Sequence, residues 1–143
     1  MEDINVKVLD EVNKGATMGM DAINYLVPKV KDGKFKGVLD IEYNKYKDIS
    51  RRANNLYENY SSKEPHETNA MNKAMTWYGI EMKTLMDTST SKLAELLLQG
   101  TNMGIIEGRK LLNHKSTDEN VHALVQEYID MQEQAVEKLK TFL

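Results

Sequence analysis

The 143 residues contain no cysteine and only two prolines, Pro28 and Pro65. Without cysteine there is no disulfide scaffold, no thiolate zinc site and no cysteine nucleophile. With so few prolines, long helices can run uninterrupted. An excess of one charge is missing too. Nineteen Lys and Arg against 22 Asp and Glu leave a net charge of -3, so no basic face is expected to attract nucleic acid. The longest uncharged run, Leu96 to Ile106, is about half of a membrane span. The opening Met1-Glu2-Asp3-Ile4 has no basic-then-apolar leader. A cytoplasmic protein with neither membrane nor nucleic-acid partner is expected. What is present is a 41% hydrophobic content over a length typical of one domain, so residues 1–143 are read as one.

The apolar residues recur at helical spacing. Ile4, Val8, Val12, Ala16, Gly19, Ile23, Leu26 and Val30 mark one face of a first helix, and Lys31-Asp32-Gly33 is a turn of the kind that joins antiparallel helices. In the second helix Phe35, Leu39, Glu42, Tyr46, Ile49, Ala53, Leu56 and Tyr60 alternate steps of four and three, a heptad-like stripe with one acid inside it. A third stretch, 67–86, sets Met71, Met75, Tyr78, Met82 and Leu85 on one face. Asp87-Thr88-Ser89-Thr90-Ser91 then offers side-chain oxygens to cap a fourth helix, though a mere kink there would also fit. That helix, to about Asn113, turns Leu93, Leu96, Leu97, Gly100, Met103, Gly104 and Leu111 inward. A fifth follows Lys115-Ser116-Thr117-Asp118, with Val121, Leu124, Tyr128, Met131, Ala135, Leu139 and Phe142 on its stripe. No segment sustains a period of two, so the fold is predicted to be all-α.

Shifted by 85 residues, the chain matches itself without a gap. Gly15 falls on Gly100, Met18 on Met103, Gly19 on Gly104, Leu26 on Leu111, Leu39 on Leu124, Glu42 on Glu127 and Tyr43 on Tyr128. This predicts two similar hairpins, 4–60 and 89–142, around a pseudo-two-fold axis, with 67–86 as the crossover. An antiparallel four-helix bundle with one long crossover is the ferritin-like arrangement.

In detail, Trp77-x-x-Ile80-x-Met82-Lys83 before Asp87 is similar to the crossover of a bacterial ferritin-like family. The run Asp87-Thr88-Ser89-Thr90-Ser91-Lys92-Leu93-Ala94-Glu95, followed by Gln99-Gly100-Thr101-Asn102-Met103-Gly104, resembles hypothetical proteins of clostridia and related Firmicutes. The resemblance spans nearly the whole chain and implies the ferritin-like fold. These families have no established activity, so it implies no chemistry.

Ferritin-like metal enzymes place a Glu on each of two helices and a Glu-x-x-His on each of the others. Here Glu42 lies in an apolar stripe but is followed three residues later by Lys45; Glu127 is followed by Asp130 and Glu133 by Val136. Where the ferritin-like relatives carry Gly-Glu, this chain reads Gly100-Thr101. Glu119-Asn120-Val121-His122 has the spacing but stands at a helix start, His114 at a helix end, and His66 in a loop. Glu11 and Asp21 lie off the first stripe. A dinuclear iron or manganese centre would have to draw on Glu42, Glu107 and Glu127. A core hydrogen bond from Glu42 to Tyr43, Tyr128 or a lysine is the expectation preferred over ligation, because an unpaired buried carboxylate is costly.

Gly15 and Gly19, with Gly100, Gly104 and Gly108, are expected to let the first and fourth helices approach; a glycine-lined apolar-ligand pocket or a subunit contact is the alternative. Neither run is a phosphate loop, since no strand precedes it and no Gly-Lys-Ser/Thr follows. The methionines of 67–86 are expected in the core. If Trp77 lies outside, a homo-oligomer contact follows instead. Lys45, Lys47, Arg51 and Arg52, offset by Asp48, should form a solvated face. The expected function is a non-enzymatic interaction or structural protein, self-associating, with a degenerate metal site and no cofactor.

Overall fold

Four of the five helices begin where a side-chain oxygen accepts a free backbone amide. Asp3 accepts from Asn5, Asp32 from Phe35, Asn69 from Asn72 and Ser89 from Lys92. The computed structural model describes residues 3–63, 65–67 and 69–143, and all regular structure among them is helical. Helix α1 runs Ile4–Leu26, and Pro28 ends it in a single 3-10 turn, Val27–Lys29. The others are α2 (Gly33–Tyr57), α3 (Ala70–Thr84), α4 (Thr90–His114) and α5 (Glu119–Lys140). The break between α3 and α4 is a real interruption, with residues 85–89 outside either helix.

Contacts at the helix ends fix the directions. Asn5 at the start of α1 accepts from the Asp118 amide at 2.8 Å, and the Tyr60 hydroxyl donates to Asp118 at 2.7 Å. The start of α1, the end of α2 and the start of α5 therefore share one end of the molecule. At the other end, where α2 starts and α5 stops, the rings of Phe35 and Phe142 lie 5.0 Å apart. Three contacts step along α1 and α3 together: Asp10 to His66, Asp21 to Lys73 and Lys29 to Glu81. Helix α3 thus runs parallel to α1 beside its second half, from about the level of Asp21 to that of Lys29, after the preceding segment has passed Asp10. It delivers α4 to the far end, from which α4 returns antiparallel to α1 until Leu111 and Lys115 line a groove with Lys7 and Val8.

The pairs α1/α2 and α4/α5 pack most extensively, and α2 meets α5 as α1 meets α4. One apolar cluster draws on all five helices, with Phe35, Leu9, Leu39, Leu124 and Leu139 inaccessible or nearly so. Burying each such side chain is worth about 1.5–3 kcal/mol. Among the described side chains of α3, Ile80 is the one buried apolar residue.

The buried positions recur. Val8, Leu9, Val12, Ala16 and Ile23 in α1 are matched, 85 residues on, by buried Leu93, Ala94, Leu97, Thr101 and Gly108 in α4. From α2 to α5 the spacing is 86 instead: Phe35, Val38, Leu39, Glu42, Tyr46, Ile49 and Ala53 against Val121, Leu124, Val125, Tyr128, Gln132, Ala135 and Leu139. Between equivalent buried positions the second hairpin is one residue longer, and one residue is about 100° of helix. The constant 85-residue match therefore pairs unlike surroundings at its far end. Glu42 is buried and Glu127 is exposed.

The glycines make room for side chains. A Cβ on Gly15 would overlap the Tyr128 hydroxyl, and one on Gly19 would stand 2.7 Å from the Tyr46 ring. On α4, Gly104 faces Gln132 and Gly108 faces Ile129, whereas Gly100 has nothing within 4 Å. The clearances thus serve residues of α2 and α5, a correction to the expected approach of α1 and α4. Gly100→Ala should stabilise by up to about 1 kcal/mol through helix propensity alone. Gly19→Ala, which must displace the Tyr46 ring, should cost about 1–3 kcal/mol. Urea titration of both variants compares them.

Candidate functional site

Two places hold side chains that simple packing does not account for, one inside and one outside. The inner one follows from the stripe of α2, which puts Glu42 and Tyr46 one turn apart on the buried face. Glu42 is 4% exposed, and its Oε2 has no hydrogen-bond partner. The expected core bond to that oxygen is absent, which corrects the sequence reading. Burial raises the Glu42 pKa above the ordinary carboxylate value, with Lys45 opposing. The cost of dehydrating a charge is the cause.

Beside it, the Tyr46 hydroxyl donates to Gln132 Oε1 at 3.4 Å, and Thr101 is a further partner. Gln132 donates in turn to the Tyr128 carbonyl at 3.2 Å. Burial drives both phenols up, Tyr128 to about 12, and the Glu42 carboxylate adds to the rise at Tyr46. Neither phenol is an acid or base at neutral pH. Gln132 escaped notice in the sequence, although it occupies a stripe position one turn from Tyr128; Thr101, one turn from Leu97, is marked there only as standing where ferritin-like relatives carry Glu.

The three glutamates named as metal candidates do not converge. Glu107 is exposed and lies 3.7 Å from Lys110. Glu127 is exposed and paired with Arg52, which also reaches Asp48. Among the described residues, no group of three or more His, Asp or Glu is placed to hold a metal ion. His114 and His122 are exposed, while Asp21, half-buried, keeps one unpartnered oxygen and a Lys73 ammonium at 4.0 Å. Two surface grooves, of about 480 and 360 Å³, lie between α2 and α5 and between α1 and α4. Neither is lined by Glu42 or by a glycine.

A polar tie missed in the sequence fixes the segment before α3. The buried Asp10 carboxylate accepts from the His66 amide at 2.8 Å and meets His66 Nδ1 at 3.0 Å. Asn13 donates to the His66 carbonyl and accepts from Ser50 and Asn54. Both residues fall on the flank of the α1 stripe, where a polar side chain reads as ordinary surface.

The outer place is α3. Met71, Met75, Trp77, Tyr78, Met82, Leu85 and Met86 are 50–97% exposed, so the expectation that they fill the core is overturned. Ile80 and Thr84 are the buried pair that seat the helix, and Lys73 and Glu81 are drawn to Asp21 and Lys29 of the α1 segment. Helical periodicity reports that a helix has one apolar face, and it is silent on which way that face turns. No helix among the described residues is long and apolar enough to cross a membrane. Comparison with known proteins gives no matching family model, curated protein or solved structure.

The raised pKa of Glu42 carries a sign. Protonation is favoured in the folded state, so the group's contribution to stability is complete below the usual glutamate pKa and is lost as pH rises through the folded value. Glu42→Gln should remove that loss. Its stability relative to the parent is expected to grow from pH 4 to pH 7, and Glu42→Met should gain about 1–3 kcal/mol at neutral pH. Chemical denaturation across pH measures both.

Proposed function

We propose that this chain is a ferritin-like bundle, located in the cytoplasm, whose interior serves packing and whose outer crossover helix is its working surface. It is a non-enzymatic interaction or structural protein. The observation that carries this reading is the face of α3. Monomeric proteins rarely expose apolar patches beyond about 300–600 Å², and seven large apolar side chains stand half or more exposed on and just after this one helix. Nothing in the packing of α3 on α1 needs them.

Support for the ferritin-like part comes from the helix directions, the parallel course of α3 beside the second half of α1, and the recurrence of buried positions at 85 and 86 residues. Tyr46 and Gln132, which bond to each other, are themselves 86 apart, as two equivalent positions meeting near a pseudo-two-fold axis would be. Glu42 then corresponds to Tyr128, and the site where ferritin-like enzymes gather carboxylates holds one glutamate among phenols and amides.

A second reading has one observation in its favour, the unpartnered Oε2 of Glu42: a divergent iron or manganese protein. Plasma mass spectrometry on protein incubated anaerobically with iron(II) or manganese(II) separates the two. Below 0.1 metal per chain is expected, on the order of adventitious surface binding. Near-stoichiometric metal that Glu42→Ala abolishes overturns the interaction reading. The surface role of α3 has its own test. Replacing Met71, Met75 and Met82 together by Gln should leave stability within about 1 kcal/mol of the parent, as substitutions outside a core do. A loss of several kcal/mol would make this face structural.

A further inference from the structure

We propose that the outer stripe of α3 pairs with the same stripe of a second copy of this chain, the two helices antiparallel about a two-fold axis near Tyr78. The inference rests on the reading of α3 as a binding surface and names the partner.

The stripe has the form of a helix–helix seam. Met71, Met75, Tyr78, Met82 and Leu85 alternate steps of four and three, the spacing that keeps one line of side chains facing a partner helix. All five are at least half exposed. Their own molecule supplies no partner: the opposite side of α3 is the one seated on α1, through Ile80, Thr84 and the two ion pairs.

Charge narrows the occupant. Lys73 and Glu81 are both engaged by the α1 segment, which leaves Lys83 as the charged residue of α3 on the exposed side. A surface this poor in charge has little to offer a polyanion or an anionic lipid, both of which are recognised by clustered Lys and Arg. It is complementary to another uncharged apolar stripe, and a copy of itself is one. In a two-fold contact the same patch serves both sides, so no separate complementary surface is required. Methionine suits such a seam because its flexible thioether adapts to whatever knob it meets.

Area fits as well. With Met86 included, the exposed stripe side chains offer an area comparable with the about 800 Å² per partner in a standard stable interface. The direction follows from the helix dipoles, which antiparallel helices oppose favourably; crossing at Tyr78 then places the two Lys83 residues about 15 Å apart along the axis, beyond the screening length at physiological salt.

Sedimentation velocity with light scattering tests the pairing on the full chain. The parent should show twice the mass of one chain at high concentration and dissociate on dilution. Tyr78→Glu combined with Met82→Glu should give a single-chain mass with helix content unchanged. Because the chain lacks cysteine, single reporters are clean. Tyr78→Cys should form a disulfide-linked pair on mild oxidation and Met86→Cys should not; cross-linking of both would overturn the antiparallel arrangement.

A parent of single-chain mass at every concentration overturns the self-pairing. If it nevertheless binds an apolar dye that the double variant does not, the surface reading stands and only the partner is wrong. Single-chain mass with flotation on phosphatidylglycerol vesicles assigns the face to lipid and overturns the proposal too. A dimer that survives the double substitution overturns it by placing the interface elsewhere. Loss of helix content in the double variant would sink the surface reading itself.

Discussion

Two phenol rings lying on two glycines set the geometry on which the rest of this molecule depends. Tyr128 sits over Gly15 and Tyr46 over Gly19, so α1 receives one ring from α5 and one from α2 on successive turns. The glycines carry a helix-propensity cost of about 1 kcal/mol each relative to alanine, and the clearance they leave admits side chains that no larger residue would. That clearance brings the Tyr46 hydroxyl to Gln132 and holds the α1/α2 pair against α4/α5. It also decides what the interior can do. With two phenols, an amide and a hydroxyl filling the middle layer, the Glu42 carboxylate stands among groups that remain uncharged at neutral pH.

Much of this was legible in the residues and some of it was not, for reasons that can be named. The five helices follow from stripes with few interruptions, and the cap of α4 from the side-chain oxygens around Ser89; the caps Asp3, Asp32 and Asn69 went unmarked. The inward position of Glu42 was legible because its neighbours at three and four residues are apolar. The environment of Glu127 was not. The repeat that pointed to it holds at 85 residues through α1 and α4 and then slips by one, and a one-residue slip turns a helix far enough to exchange core for solvent. The self-match saw identity of letters, Leu-x-x-Glu-Tyr twice, where the burial equates Glu42 with Tyr128. Helix α3 was misplaced for a different reason. Its stripe is as regular as that of α2, and regularity carries no information about whether the face turns to its own chain or away from it.

The buried polar residues divide by what they do. Asp10 and Asn13 are fully engaged and fasten the segment before α3 to α1. Thr101 returns its hydrogen bond to the Leu97 carbonyl, the usual way a helix absorbs a buried hydroxyl. Glu42 keeps an oxygen without a partner, as does the half-buried Asp21. A protonated carboxyl tolerates that position better than an ionised one, which is why burial and the raised pKa belong to one description.

The attachment of α3 has a consequence for how the molecule opens. The helix is held by a short inner edge, two ion pairs and the His66 tie, while α1, α2, α4 and α5 interlock over their whole lengths. The free energy needed to lift α3 is therefore far below that needed to separate the other four, and amide protons of the crossover would exchange with solvent through a local excursion that leaves the core shut. The chain behaves as two cooperative units in unequal measure, one built to persist and one built to detach. Because α3 is also the covalent link between the hairpins, each excursion lengthens the tether joining them, so two neighbouring molecules could trade hairpins without either losing its core contacts.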